Sequence, residues 1–126
     1  MRIKSVDINY SYFDGFSAKA ASYGIKDWIL DPGIGFAKSI DQNYGLIRRL
    51  GEFKEVAPSG GAGPRVLVGV SRKSLIYKYF NMSPEESLPA TQVLHFAALQ
   101  NGADILRVHD VSEAVRTLSL YRILSK

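Results

Sequence analysis

The chain has no cysteine and very few histidines, and these absences narrow the classes of protein to which it belongs. With no cysteine among 126 residues, a disulfide scaffold and thiol chemistry are excluded. The 2 histidines, His95 and His109, show no recognisable metal-ligand spacing with the scattered carboxylates. We therefore assign no metal site to the chain from spacing, and we expect His95, in mid-helix, to be a packed or surface residue.

Long apolar runs are also absent. No segment approaches the roughly 20 apolar residues that a membrane-spanning helix requires. The first residues do not show the charged-then-apolar pattern of a signal peptide. Sixteen basic residues against 12 acidic ones give a net charge of +4 and a pI of about 9.4. Because the basic residues are scattered, the charge suits small anions such as phosphates, and it argues against nucleic acid or a membrane as a partner.

What is present is an alternation of strand-like and helix-like segments. Apolar segments that predict strands end at Leu30 and cover residues 65–70 and 104–110. Capping-box patterns at Ser39 and Ser83 mark helix starts, and helices are predicted over residues 12–23, 40–50, 75–80, 89–101 and 112–124. The last two helices are expected to bury Val93, Leu99 and Val115. Residues 1–11 stay open, because Val6, Ile8 and Tyr10 alternate as in a strand. Residues 58–64 are rich in glycine and proline and predict a flexible surface loop.

This alternation predicts an α/β fold with a parallel sheet and right-handed crossovers, in a single domain over residues 1–126. From periodicity alone the sheet belongs either to a small doubly wound domain or to a portion of a (β/α)8 barrel. In both architectures functional sites lie at the carboxyl ends of the strands.

Polar groups follow each predicted strand: Asp31 the first, Ser71-Arg72-Lys73 the second, and Arg107 and His109 the third. Each has an ordinary explanation, namely an Asp-Pro-Gly turn, a solvated strand exit, and a salt bridge to Asp110, Asp104 or a helix acid. Arg107 and His109 are two apart, so on a continuous strand they would point to the same face.

Together, the three strand ends suggest a binding cleft. A carboxylate accepts paired hydrogen bonds from an amino-pyrimidine edge, which resembles a guanidinium in its donor layout. Arginine and protonated histidine suit a diphosphate, and lysine adds a mobile charge. Phe36, beyond the glycine turn, would cover an aromatic substrate. The predicted chemistry is a group transfer in which charge developing on a phosphate leaving group is stabilised.

Three segments also resemble one known family. Leu-Asp-Pro-Gly-Ile-Gly-Phe-Ala-Lys at 30–38, Val-Gly-Val-Ser-Arg-Lys-Ser at 68–74 and Arg-Val-His-Asp-Val at 107–111 are similar, in order and spacing, to motifs of dihydropteroate synthase. The resemblance implies a (β/α)8 barrel and a cytoplasmic transferase of folate biosynthesis. Such an enzyme condenses p-aminobenzoate with 6-hydroxymethyl-7,8-dihydropterin diphosphate and releases diphosphate.

The resemblance also implies residue roles. Asp31 would bind the amino and ring nitrogens of the pterin, and Lys73 would reach the pterin and the neighbouring substrate, so that these two carry the catalysis. Phe36 and Ser71 would line the p-aminobenzoate pocket. Arg107 and His109 would bind the diphosphate that leaves, and Gly69 would leave room beside the pterin. For Arg72 only an electrostatic or loop-bracing role can be argued.

A (β/α)8 barrel needs about twice this length. The chain is therefore expected to be a truncated portion of the barrel, strands 6–8 with their helices. The family's Mg²⁺ would then have its protein ligand in an amino-terminal part that has no counterpart here. We expect the chain alone to be inactive and to self-associate through its open sheet edges. The alternatives are a non-catalytic pterin-binding, phosphate-binding or assembly module, and a fragment of a related pterin-binding methyltransferase.

Overall fold

The computed structural model of the protein describes residues 5–25, 27–35, 39–56 and 63–126, with the backbone alone for residues 5–10. In chain order the elements are α1 (Ser5–Ser22), β1 (Ile29–Leu30), α2 (Ile40–Arg48), a 3-10 helix (Leu50–Glu55), β2 (Arg65–Val68), α3 (Ser74–Tyr77), a second 3-10 helix (Glu85–Ser87), α4 (Leu88–Gln100), β3 (Ile105–Leu106) and α5 (Val111–Leu124). No helix in these ranges has the length and apolarity that a membrane span requires.

The three strands form one parallel sheet in the order β1-β2-β3. Ile29 lies opposite Arg65, and Leu67 lies opposite Ile105. The strand order follows the chain without the reversal that characterises a doubly wound sheet. The predicted α/β class is confirmed, and sequential parallel order is the order of a (β/α)8 barrel.

The core lies between this sheet and the helices. Val66 and Val68 on β2 are fully buried, as is Phe53 on the first 3-10 helix. Phe13 on α1 packs edge-on against Phe53, with ring centroids 6.1 Å apart, so the helix before β1 is joined to the core. Burying apolar side chains of this size stabilises each by about 1.5–3 kcal/mol relative to exposure.

Two capping boxes form as their sequence patterns predict. The amide of Gln42 donates to Ser39 Oγ at 3.1 Å, and the amide of Ser39 donates to Gln42 Oε1 at 2.9 Å, at the start of α2. The amides of Glu86 and Ser83 make the same reciprocal bonds with Ser83 Oγ and Glu86 Oε1. Both pairs satisfy amides that a helix start leaves without partners.

The helix boundaries differ from prediction at two places. α1 begins at Ser5, so the strand reading of Val6, Ile8 and Tyr10 is wrong: three alternating residues are a weak signal beside a helical pattern that continues into them without a proline or glycine break. Gly51 does not end its helical segment, because α2 ends at Arg48 and the chain continues as a 3-10 helix through Gly51 to Glu55. Most of the predicted 58–64 loop lies outside the described residues.

The buried faces of α4 and α5 differ from expectation in part: Leu99 is buried as predicted, but the other buried residues are small or polar. Val93 and Val115 were expected to be buried, but they are 68% and 55% exposed. The buried residues on these helices include Thr91, His95 and Thr117. The two helices pack on each other, with Thr117 on α5 bonded to Gln92 on α4, while the two valines face solvent.

A buried polar layer therefore lies between α4 and α5. His95 is fully buried, with Nδ1 3.2 Å from Gln92 Oε1, and Thr117 Oγ1 donates to the same oxygen at 2.8 Å. Burial lowers the pKa of His95 from its ordinary value, and the negative charge of Asp110 opposes this shift only in part. His95 is thus a packed, neutral histidine, as expected for its position in mid-helix.

This burial predicts acid sensitivity of the fold. Since the folded pKa of His95 lies below the unfolded value of about 6.5, its contribution is complete above that pH and is lost as the pH falls towards the folded pKa. We expect the thermal midpoint to fall between about pH 7 and about pH 5, and to fall less in His95→Gln. Calorimetry at several pH values measures this, with His109→Gln as the matched variant. Equal pH slopes in the wild type and His95→Gln would contradict it.

Candidate functional site

The carboxyl ends of the three strands bring an acid and a base together above β2. Asp31 follows β1 and Arg107 follows β3, and Asp31 Oδ2 lies 3.5 Å from Arg107 Nη1. The two side chains are 38% and 54% exposed, so this long ion pair is open to solvent. An exposed pair of this kind contributes at most about 1 kcal/mol to folding, and a ligand can replace it at little cost.

Gly69 permits this meeting. A Cβ at Gly69 would lie 2.6 Å from Arg107 Nη2, so any larger residue would displace the guanidinium. The resemblance implied that Gly69 leaves room for a pterin. In this structure Arg107 occupies that space. Glycine therefore leaves the space into which the arginine extends at the end of β2.

The Asp-Pro-Gly segment is both a turn and a wall of the site. Asp31 Oδ1 accepts a hydrogen bond from the amide of Gly33 at 2.9 Å, which closes an Asx-type turn. Gly33 and Gly35 have φ of 75° and 90°, values that disfavour residues with a Cβ. The amide of Gly35 donates to Oδ1 of the buried Asn43 at 2.7 Å, so α2 anchors the far end of the turn.

Lys73 extends from the loop after β2 to this same turn. Its Nζ donates to the carbonyl oxygen of Ile34 at 2.6 Å. Its side chain covers Gly35 so closely that a Cβ there would lie 2.6 Å from Lys73 Cδ. Asp31 and Lys73, the two predicted catalytic residues, thus belong to one wall. The predicted aromatic cover, Phe36, lies outside the described residues.

The loops after β2 and β3 are joined by side chains. Ser71 is 3% exposed, and its Oγ accepts a hydrogen bond from the amide of His109 at 3.3 Å. Arg72 binds Asp110 through two hydrogen bonds, Nε to Oδ2 at 2.9 Å and Nη2 to Oδ1 at 2.5 Å. This pairing is the loop-bracing role that the sequence left open for Arg72.

The sequence predicted a salt bridge from Arg107 to Asp110, Asp104 or a helix acid, and these partners are wrong. Asp110 binds Arg72, and Asp104 binds Lys54 Nζ at 2.7 Å, so the acid that faces Arg107 is Asp31. β3 ends at Leu106, so the strand alternation that placed Arg107 and His109 on one face does not reach them. Two residues of strand are too few to carry the alternation through His109.

Sequence reasoning missed two residues that support the site, Asn43 and Thr91, and it did not pair Asp110 with Arg72. Thr91 Oγ1 accepts a hydrogen bond from the amide of Arg72 at 3.2 Å. Asn43 has a signal that was available, because it lies four residues before Ile47 and hence on the buried face of α2. A buried amide side chain at such a position needs a partner.

The described residues do not fit a metal site. No three histidine, aspartate or glutamate side chains gather in the part of the chain described. Asp31, the carboxylate in the cleft, already accepts from Gly33 and faces the cation of Arg107. The described residues therefore supply no ligand set for the Mg²⁺ that the resemblance implies.

A parallel sheet in sequential order, with acidic and basic groups over its carboxyl edge, is the arrangement of consecutive strand-helix units in a (β/α)8 barrel. The chain matches the family described as "Pterin binding enzyme" over residues 7–109, and it belongs to that family. Within the family its relatives include dihydropteroate synthases. The enzymes of Escherichia coli K12 and Synechocystis are 38% and 45% identical over 109 and 102 residues.

The fold agrees with this assignment. A solved dihydropteroate synthase from Xanthomonas albilineans superposes with a TM-score of 0.86 at 30% identity, over 99% of this chain and 48% of that one. The sequence alignments cover 85% and 76% of this chain, but only 36% and 33% of the E. coli and Synechocystis enzymes. The chain thus spans about a third of its curated relatives and half of a solved barrel. Its placement at strands 6–8 stays a prediction.

The contact between Gly35 and Lys73 predicts a difference between two glycine variants. Gly24→Ala places a Cβ at φ +77° in open space, and Gly35→Ala places one at φ +90° against Lys73. Both lower the free energy of unfolding by about 1–2 kcal/mol through left-handed strain. Gly35→Ala loses about 1 kcal/mol more, because Lys73 must leave the Ile34 carbonyl. Urea denaturation measures both, and equal losses would contradict the contact.

Proposed function

We propose that this chain supplies part of the substrate site of a dihydropteroate synthase. The reaction joins the amine of p-aminobenzoate to the methylene carbon of 6-hydroxymethyl-7,8-dihydropterin diphosphate. The carbon–oxygen bond to diphosphate breaks, the electron pair leaves with the diphosphate, and the amine gives up a proton. The related enzyme from X. albilineans was solved in complex with 7,8-dihydropteroate, the product of that reaction.

The observation that carries the proposal is the open Asp31–Arg107 pair. Both groups are partly exposed and 3.5 Å apart, so each has hydrogen-bonding capacity to offer a ligand. Asp31 accepts hydrogen bonds from the amino group and ring nitrogen of the pterin. Arg107 then turns its guanidinium to the diphosphate a few ångströms away, where its planar donors match phosphate oxygens. One substrate with a donor edge and a diphosphate satisfies both groups.

The basic residues around the cleft favour bond cleavage. As the carbon–oxygen bond breaks, negative charge grows on the departing diphosphate. Arg107, with His109 when protonated, binds that charge at positions set before the reaction, and Lys73 adds a third cation from the facing wall. Because these cations interact more strongly with the leaving group than with the intact substrate, they lower the barrier.

The residues assigned to p-aminobenzoate have unequal support. Ser71 is buried and its hydroxyl accepts from the amide of His109. We therefore assign Ser71 to holding the His109 backbone as well as to the floor of the pocket. Phe36 keeps its proposed packing role, and Gly69 keeps its place beside the pterin, where it also admits Arg107.

A second candidate function is pterin or diphosphate binding without turnover. It is favoured by one observation: the chain spans 36% of the E. coli enzyme that it resembles. Asp31, Lys73 and Arg107 would then act as a binding surface. We expect the 126-residue chain by itself to bind the pterin diphosphate and not to release diphosphate from it.

Substitution of Asp31 tests the pterin-binding role. Asp31→Asn preserves shape, but turns one acceptor oxygen into a donor that faces the donors of the pterin. We expect affinity for 6-hydroxymethyl-7,8-dihydropterin diphosphate to fall about 10- to 100-fold in calorimetric titration. Asp27→Asn is the matched control, since Asp27 also lies 3.5 Å from an arginine, Arg65, away from the cleft. Its affinity stays within about twofold of wild type.

The same titrations distinguish the two candidates. Equal affinity in wild type and Asp31→Asn would overturn the pterin site. Diphosphate release by the wild-type chain in the presence of p-aminobenzoate would show that the chain is active by itself, which would remove the binding-only alternative.

We also propose that the chain self-associates. In the described ranges β1 and β3 each pair only with β2, which leaves two strand edges open. Exposed apolar residues include Tyr79 in the turn after α3, Val93 on α4 and Ile123 on α5, each more than half exposed. Sedimentation velocity is expected to show species larger than 13.9 kDa at micromolar concentration. A single monomeric species across that range would contradict the proposal.

A further inference from the structure

The ion pair between Arg72 and Asp110 connects the two loops that carry most of the basic groups of the cleft. Arg72 stands between Ser71 and Lys73, and Asp110 follows His109 directly. The pair is bidentate, at 2.9 and 2.5 Å, and the side chains are 31% and 15% exposed. It is better shielded than the Asp31–Arg107 pair, whose side chains are 38% and 54% exposed.

The backbone around Arg72 depends on this pair. Arg72 has φ of 52°, a left-handed conformation that costs a residue with a Cβ about 1–2 kcal/mol. Two contacts hold it there: its amide donates to Thr91 Oγ1 at 3.2 Å, and its guanidinium binds Asp110. Next to the pair, the amide of His109 donates to Ser71 Oγ at 3.3 Å. This hydrogen bond is a second connection between the two loops.

We propose that Asp110 and Arg72 are a positioning pair for the anion site, and that Asp110, although negatively charged, is required for the binding of diphosphate. This rests on the proposed function, in which Arg107, His109 and Lys73 bind the diphosphate. The carboxylate holds Arg72 in its left-handed conformation. The conformation of Arg72 in turn fixes the position of the Lys73 backbone, and with it the distance from Lys73 to His109.

The proposal makes a prediction opposite in sign to simple electrostatics. Removing a negative charge beside an anion site strengthens anion binding if only charge matters. If Asp110 acts by position, Asp110→Asn weakens binding, because the amide cannot accept the fork of Arg72 through two oxygens. Arg72→Lys gives a second contrast. It keeps the charge and loses the planar fork, so charge alone predicts no change and positioning predicts weaker binding.

Two matched controls accompany these variants. Glu113, in the first turn of α5, acts on Arg72 through its charge, so Glu113→Gln repeats the chemical change of Asp110→Asn without breaking the pair. Glu52 binds Arg49 in an equally bidentate pair, at 2.5 and 2.8 Å. Glu52 lies on the same 3-10 helix as Lys54, and Arg49 is the N-cap of that helix. Because Lys54 binds Asp104 just before β3, the Arg49–Glu52 pair is at the opposite end of the strands. Glu52→Gln therefore reproduces the cost of losing such a pair away from the site.

The experiment is titration of the full 126-residue chain with inorganic diphosphate by calorimetry, at fixed pH and low salt. We expect Asp110→Asn and Arg72→Lys each to weaken binding about tenfold. Glu113→Gln is expected to bind as tightly as wild type or slightly tighter, and Glu52→Gln to bind as wild type. Equal or tighter binding in Asp110→Asn overturns the positioning role and leaves the proposed function intact.

Hydrogen exchange at the amide of His109 provides a measurement that needs no ligand. Because this amide donates to Ser71 Oγ across the two loops, its exchange rate reports whether the loops keep their spacing. We expect faster exchange at His109 in Asp110→Asn and Arg72→Lys, and unchanged exchange in Glu113→Gln and Glu52→Gln. If the wild-type chain binds no diphosphate, the proposed anion site is wrong. Independently of that result, unchanged exchange at His109 in Asp110→Asn would overturn the positioning pair.

Discussion

Parallel pairing of β2 with a strand on each side is the constraint on which the rest of the structure depends. Because all three strands run the same way, their carboxyl ends meet at one edge, and every residue that follows a strand is delivered there. Asp31, Gly69 and Arg107 come from three segments of the chain and meet over that edge. Gly69, at the end of the central strand, lets Arg107 reach across to Asp31.

Contacts between neighbouring loops then determine which charges face the cleft. Lys54 neutralises Asp104 at the amino ends of the strands, and Arg72 neutralises Asp110 at the carboxyl ends. Each pairing assigns a carboxylate to a structural partner, and Asp31 is left facing Arg107 in a long, exposed pair. The proposed site for a ligand with a donor edge and a diphosphate rests on this division between closed and open pairs.

Much of the fold follows from local chemistry in the sequence. The capping boxes at Ser39 and Ser83 form as predicted, since their bonds join residues three apart. The apolar run at residues 65–70 predicts the buried central strand β2. By contrast, Val93 and Val115 were expected inside and are exposed, because the close contact of α4 with α5 decides which faces of those helices are covered.

By itself, the sequence determined the α/β alternation, the family, and the presence of Asp31, Lys73, Arg107 and His109 after the strands, because these depend on residue type and short spacing. Only the tertiary structure decided which charges pair. Arg72 with Asp110 and Arg107 with Asp31 join residues 38 and 76 positions apart, and no local pattern selects one acid over another. Likewise, only the tertiary structure shows that the guanidinium of Arg107, from a different strand end, occupies the space beside Gly69.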